Sequence, residues 1–172
     1  MLPELPAWTA PPPKPREDNT RDEAQARLGE AMHRVLEWAT GTGRAIEPLA
    51  AAAAQMYGLD AAQRERLLTG VQAILTSPEC APFFDASQLQ WAGNEVPISF
   101  EGQDLRLDRL VKRDGTWWVL DYKLASRPEG REEYLEQMRH YALALRSLQP
   151  GEPVRAALIT AQGRLVEISG LE

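Results

Sequence analysis

In the run Trp117-Trp118-Val119-Leu120-Asp121-Tyr122-Lys123, a carboxylate and an ammonium stand two residues apart. If the segment is a strand, both project from one face while Leu120 and Tyr122 occupy the other. The upstream turn Arg113-Asp114-Gly115-Thr116 folds a preceding strand back alongside, because Asp-Gly supplies the positive φ angles of a tight hairpin. That strand carries Asp108 towards the same end of the sheet. Two carboxylates and one ammonium would then lie within a few ångströms. Adjacent carboxylates destabilise each other's charge, a divalent cation relieves the conflict, and Mg2+ favours carboxylates, water and phosphate oxygens. An isolated Asp-x-Lys is ordinarily a surface ion pair at a strand end. Here the charges directly follow a central-strand sequence, which sets them at the mouth of a core. His33 adds a nitrogen donor on an N-terminal helix, on the face it shares with Gly29 and Glu37. A glycine on that face would let a backbone or a substrate approach closely.

These residues need elements to hold them. Thr20-Arg21-Asp22-Glu23 is a capping-box pattern. The helix it opens buries Leu28, Met32, Val35 and Ala39 and stops at Gly41-Thr42-Gly43. Two more helices are expected, Ala45 to Tyr57 and Ala61 to Leu75, the second capped by Asp60 and stopped by Ser77-Pro78. From Leu89 the apolar period becomes two. Val96, Ile98 and Phe100 alternate with polar neighbours, Glu101-Gly102 turns, and Leu105, Leu107 and Val111 alternate with Arg106, Asp108 and Leu110. With Trp117 to Lys123 this makes a three-stranded antiparallel meander. Alternation buries at least one of Trp117 and Trp118, so both are read as packing. A second capping box, Ser126-Arg127-Pro128-Glu129, opens a helix to about Leu148 with Tyr134, Met138, Tyr141, Leu145 and Leu148 as its stripe and His140 facing solvent. The apolar run Val154 to Thr160 reads as a fully buried strand, and Gln162-Gly163 turns into a last strand, Arg164 to Ile168. The plan is α+β or mixed α/β.

The 172 residues suffice for one domain with a full core, and 44% hydrophobic with 26% charged residues is the composition of a globular protein. Six of the 13 prolines fall in the first twenty residues, so residues 1–20 are expected to be an extended linker or tail and 21–172 the folded unit. The segment Met1-Leu2-Pro3-Glu4 has neither the basic flank nor the apolar stretch of a signal peptide, and no apolar run is long enough to span a bilayer. The expectation is therefore a cytoplasmic protein with no membrane partner. A single cysteine, Cys80, excludes an internal disulfide and an iron–sulfur cluster built from this chain alone. The formal charge of -6 argues against a nucleic-acid coat protein, while leaving room for carboxylates gathered around a metal. Only Lys14, Lys112 and Lys123 are lysines among the 19 basic residues, which makes the placement of Lys123 informative.

Four segments in order resemble the motifs of the RecB-like branch of the PD-(D/E)XK nucleases. They are Gly29-Glu30-Ala31-Met32-His33-Arg34-Val35-Leu36-Glu37, Leu107-Asp108-Arg109-Leu110, Trp118-Val119-Leu120-Asp121-Tyr122-Lys123 and Gln137-Met138-Arg139-His140-Tyr141. The resemblance spans residues 22 to 160 and implies a restriction-endonuclease-like core, a central mixed sheet flanked by helices behind an N-terminal helical segment. It makes His33, Asp108, Asp121 and the backbone carbonyl of Tyr122 the ligands of Mg2+ or Mn2+, and Asp108, Asp121 and Lys123 the catalytic set. Gln137 and Tyr141, four apart on one helical face, become substrate-binding residues. Glu95 becomes a supporting acid beside the metal. The activity implied is hydrolysis of DNA, as an exonuclease on single strands delivered by a helicase in double-strand-break repair, resembling exodeoxyribonuclease V. The resemblance is to the C-terminal domain of a helicase–nuclease of the RecB/AddA kind, with the proline-rich segment as tether to an upstream motor and the isolated domain monomeric. The alternative is an inactive nuclease-fold module that binds DNA or braces a helicase. Leu124 stands where the branch often has threonine, which removes one hydroxyl available to phosphate.

Overall fold

Helices α1 (Asn19–Ala39), α2 (Ile46–Met56) and α3 (Ala61–Thr76) precede a five-stranded sheet in the structure, a computed structural model that describes residues 19–171, with side chains from residue 23. The proline-rich segment lies outside the described residues, as do the side chains of Thr20, Arg21 and Asp22 in the first capping box. α1 begins at Asn19, just ahead of the expected start. Asp60 caps α3 by accepting from the Gln63 amide at 2.8 Å, and the Gln63 side chain accepts from the Asp60 amide, a reciprocal capping box.

Strands β1 (Trp91–Phe100), β2 (Gln103–Arg113) and β3 (Thr116–Lys123) form the expected antiparallel meander. Helix α4 (Glu132–Leu148) then crosses over to β4 (Val154–Thr160), which runs parallel to β3, and β5 (Leu165–Glu167) closes the order β1-β2-β3-β4-β5. The mixed sheet flanked by four helices is the architecture the sequence predicts.

Helices α1, α2 and α3 cover one face of the sheet and α4 the other. Leu28, Met32, Val35 and Leu36 of α1 pack with Trp118, Leu120 and Tyr122 of β3. Trp117 and Val119 of β3 pack with Met138, Ala142 and Leu145 of α4. Both tryptophans are thus buried, on opposite faces. Covered on both sides, β4 can carry the uninterrupted run Ala156-Ala157-Leu158-Ile159, all buried. Each large apolar side chain so enclosed contributes about 1.5–3 kcal/mol, which anchors the strand ends that carry the charges.

Three expectations change. The Ser126 capping box does not form. Gly130 falls in a short 3-10 turn (Pro128–Gly130) and α4 starts only at Glu132, with Arg131 at its N-cap and no side-chain cap; glycine at the first turn costs too much backbone entropy for the helix to begin there. Leu148, expected on the α4 stripe, is the last residue of the helix and is 46% exposed, so the buried stripe ends at Leu145. No other backbone comes close at Gly29, where a Cβ would meet only the Leu124 side chain at an ordinary 3.6 Å.

Candidate active site

Register and strand irregularity bring the acidic groups together. β2 pairs with β3 only as far as Arg109 opposite Leu120, so continuing the ladder would set Asp108 opposite Asp121. Instead Asp108 leaves the ladder, and its carboxyl Oδ2 accepts from the Tyr122 amide at 3.0 Å. On the other side of β2, Asn94 pairs with Arg109 and Val96 with Leu107, while Glu95 between them is unpaired with φ of +48°. Such irregularities re-aim side chains and cluster at functional sites. The facing pattern of β2 breaks at the same place. Strict alternation puts Leu107 and Val111 on one face, yet Leu107 packs with the α4 side together with Leu110, and Val111 with the α1 side.

His33 reaches this end of the sheet from α1. Its Nε2 lies 3.5 Å from Asp108 Oδ2, and its ring meets Tyr122 edge to face at 5.0 Å. Burial lowers its pKa, although Asp121 and Glu95 pull it upward, so the ring favours the neutral form that can donate a lone pair to a cation. Asp108 is pushed up to about 9 by burial first, then by the charge of Asp121 and a hydrogen bond with it. A carboxyl whose charge is disfavoured by burial and by a neighbouring carboxyl is one that a divalent cation stabilises.

Lys123 lies on the far side of Asp121. Its Nζ is 2.8 Å from Asp121 Oδ2 and donates to Gln137 Oε1 at 3.3 Å, and Gln137 Nε2 donates to the Tyr141 hydroxyl at 3.0 Å. Gln137 and Tyr141 therefore brace the lysine from α4. Burial, then the nearby Asp121 and Asp108 charges, raise the pKa of Tyr141, which keeps it a hydrogen-bonding phenol. Glu95 sits apart. Its carboxylate is 4.0 Å from Arg106 and lines a hollow of about 320 Å³ with Glu30, His33 and Arg34.

The residues present fit a hard divalent cation by donor chemistry: two carboxyls in contact, an imidazole held neutral by burial, and a strand-end carbonyl at Tyr122. Among the described residues, no three His, Cys, Asp or Glu side chains already stand as a ligand cage. Asp121 Oδ2 is engaged by Lys123 and Asp108 Oδ2 by the Tyr122 amide, while each carboxyl keeps a second oxygen that a cation could use.

Sequence reasoning missed Arg109. The side chain is fully buried, donates through Nε to the Phe83 carbonyl at 3.0 Å and through Nη1 to Asn94 Oδ1 at 2.8 Å, and lies 4.8 Å over the Phe84 ring. It ties the loop after α3 to the residue preceding Glu95. Among the described residues, its Nη2 and the Tyr122 hydroxyl are buried without a hydrogen-bond partner. A charged residue inside an apolar alternation was the available signal, since a buried arginine must find acceptors. Trp91, 45% exposed, and Trp117 are in edge-to-face contact at the opposite end of β3, away from the acidic groups.

Among the described residues no helix is long and apolar enough to cross a membrane. No curated protein matches the chain. A solved structure titled "Crystal structure of SSO0001" is similar over 87% of this chain and 75% of its own, with 14% identity and a TM-score of 0.29, too low for any argument to rest on it. A family model is decisive: that of the PD-(D/E)XK nuclease superfamily matches residues 11–168, and the chain belongs to that superfamily.

Proposed function

We propose that the chain is a metal-dependent deoxyribonuclease that hydrolyses phosphodiester bonds, acting on single strands. The observation that carries this reading is the contact of the buried Asp108 and Asp121 carboxyls between His33 and Lys123, in a chain of a nuclease superfamily. His33 Nε2, the two carboxylates and the Tyr122 carbonyl would hold Mg2+ or Mn2+. Bound there, the ion supplies Lewis acidity and positive charge for the attack of water on a phosphodiester. The chain's own residues do the rest. Asp108, whose pKa is raised by burial and the Asp121 charge, would serve as a ligand in its deprotonated form, its proton passing to solvent. Asp121 would offer a carboxylate oxygen to the ion while it also holds Lys123 at 2.8 Å. The ammonium, braced by Gln137, can donate to a phosphate oxygen and orient the attacking water, stabilising charge where it develops. Gln137 and Tyr141 position Lys123 and contact the strand, and Glu95 supports the site from the His33 side.

Four motif-like segments in order support placement in the RecB-like branch, as the nuclease part of a helicase–nuclease working in double-strand-break repair. The net charge of -6 fits a domain whose grip on DNA is supplied largely by a motor. The test is cleavage of single- and double-stranded DNA over a range of Mg2+ and Mn2+, with Asp121→Ala protein purified in parallel. Metal-dependent cleavage lost in the variant supports the enzyme. DNA binding without cleavage, indifferent to Asp121→Ala, supports the inactive-module alternative. Equal cleavage by both proteins assigns the activity elsewhere.

A further inference from the structure

On the Lys123 side of the acidic pair, a groove of about 620 Å³ runs between α1, the exposed end of α3, the end of β3 and the start of α4. Its lining includes Arg66, Lys123 and Arg131, the phenol ring of Tyr134 and the amide of Gln25, and no acidic residue. Lys123 is already paired with Asp121, so the cations this groove presents to solvent are Arg66 and Arg131, both exposed, in a chain of net charge -6. The hollow on the His33 side differs, since Glu30 and Glu95 there offset Arg34 and Arg106.

Tyr134 joins the cations to each other. Lys123 Nζ lies over the ring at 4.4 Å from its centre and the Arg131 guanidinium over it at 5.5 Å, and the residue is partly buried. An aromatic face flanked by cations is the combination that grips a single strand, with a base on the ring and phosphates on the charges. Arg131 occupies the N-cap of α4, where no side chain caps the first-turn amides. A cation there opposes the helix dipole, so this position works against helix stability and for anion binding.

We infer that this groove carries the DNA strand on one side of the scissile phosphate, with Arg66 and Arg131 on its backbone phosphates and a base taking the place over Tyr134 that the Arg131 guanidinium leaves when it moves to a phosphate. This rests on the nuclease reading for the position of the scissile phosphate at Lys123. It assigns binding residues outside the motif segments, on α3 and at the α4 N-terminus. The strand therefore enters from the basic groove, and the mixed-charge hollow beside His33 is left to the metal side.

The experiment measures anisotropy of a fluorescein-labelled oligothymidylate with the full chain, in Ca2+ so that the strand survives, from low to moderate salt. It compares wild type, the double variant Arg66→Gln with Arg131→Gln, Tyr134→Leu, and Arg64→Gln as a control on the same helix as Arg66. Removing two phosphate contacts should flatten the plot of log affinity against log salt by about 1.4. Losing the stacking face should weaken binding about tenfold with the salt slope unchanged. The control should match wild type. In the Mg2+ cleavage assay the double variant should raise KM about tenfold and hold kcat within about twofold, as loss of uniform binding does. A double variant with wild-type slope and KM overturns the inference while cleavage by wild type leaves the nuclease reading standing. A wild type that binds through the groove but never cleaves supports the inference and sinks the nuclease reading. A wild type that does neither sinks both.

Discussion

Asp108→Asn should make the metal-free protein more stable while abolishing its response to metal. In the folded chain Asp108 is buried beside Asp121 and its pKa is raised; in the unfolded chain it is an ordinary carboxylate. Between the ordinary carboxylate range and about pH 9 the folded state therefore holds a proton that the unfolded state has released. Folding stability associated with this group is present in full below the unfolded pKa and is lost as pH rises towards the folded value. Taking about 3.7 units between the unfolded pKa and pH 7.5, at about 1.36 kcal/mol per unit, the cost has a ceiling of about 5 kcal/mol. The Asp108 side chain keeps 18% of its exposure, so solvent absorbs part of it. About 2 kcal/mol remains as the expected gain for asparagine at pH 7.5, which preserves the acceptor for the Tyr122 amide and offers Asp121 a donor. For a domain of this size the gain is a rise in Tm of about 4–8 °C. The assay is thermal unfolding in EDTA from pH 4 to pH 8.5, then with Mn2+ or Mg2+. The gap between variant and wild type should vanish near pH 4 and widen with pH; the metal should raise the wild-type Tm and leave the variant's nearly unmoved. A variant less stable than wild type at pH 8 in EDTA, or one still stabilised by metal, refutes the account of Asp108 as a strained ligand.

Other expectations follow from neighbouring contacts. Lys123→Met should reduce cleavage by at least about 100-fold, the loss typical of a transition-state donor, and lower metal-free stability by about 2 kcal/mol because Asp121 loses its buried partner; saturating Mg2+ should recover part of the stability and none of the activity. His33→Ala removes one donor and leaves both carboxylates, so half-maximal cleavage should require more Mn2+, read from a metal titration, while the maximal rate changes less. Ca2+ in place of Mg2+ should support strand binding and suppress cleavage, since the larger ion accepts looser geometry and activates water less; cleavage in Ca2+ at the Mg2+ rate would contradict this. Asp60→Ala should cost about 1 kcal/mol in chemical denaturation by removing the cap of α3, with activity per folded molecule unchanged.

Much of the architecture is local and therefore legible in the chain. The three- and four-residue spacing of Leu28, Met32 and Val35, the cap at Asp60, the Asp114-Gly115 turn and the apolar run to Ile159 each encode an element through nearest neighbours. The types of the site residues were equally readable, because Asp-x-Lys after a buried strand is a local pattern, and residues two apart share a face without reference to anything distant. Tertiary structure decided how those residues meet. Asp108 leaves its ladder for the Tyr122 amide, Leu107 changes face, and Glu95 adopts a positive φ, all where strand pairing fails, and a period-two pattern cannot say where pairing fails. The burial of Arg109 between Phe83 and Asn94 and the gathering of Arg66, Lys123, Arg131 and Tyr134 around one groove join residues from separate elements. Such associations depend on the crossover of α4 and the packing of α3 across the sheet. The one-dimensional order holds the residue types and their local faces; which of them share a charge or a groove is set by packing over distances that no local period spans.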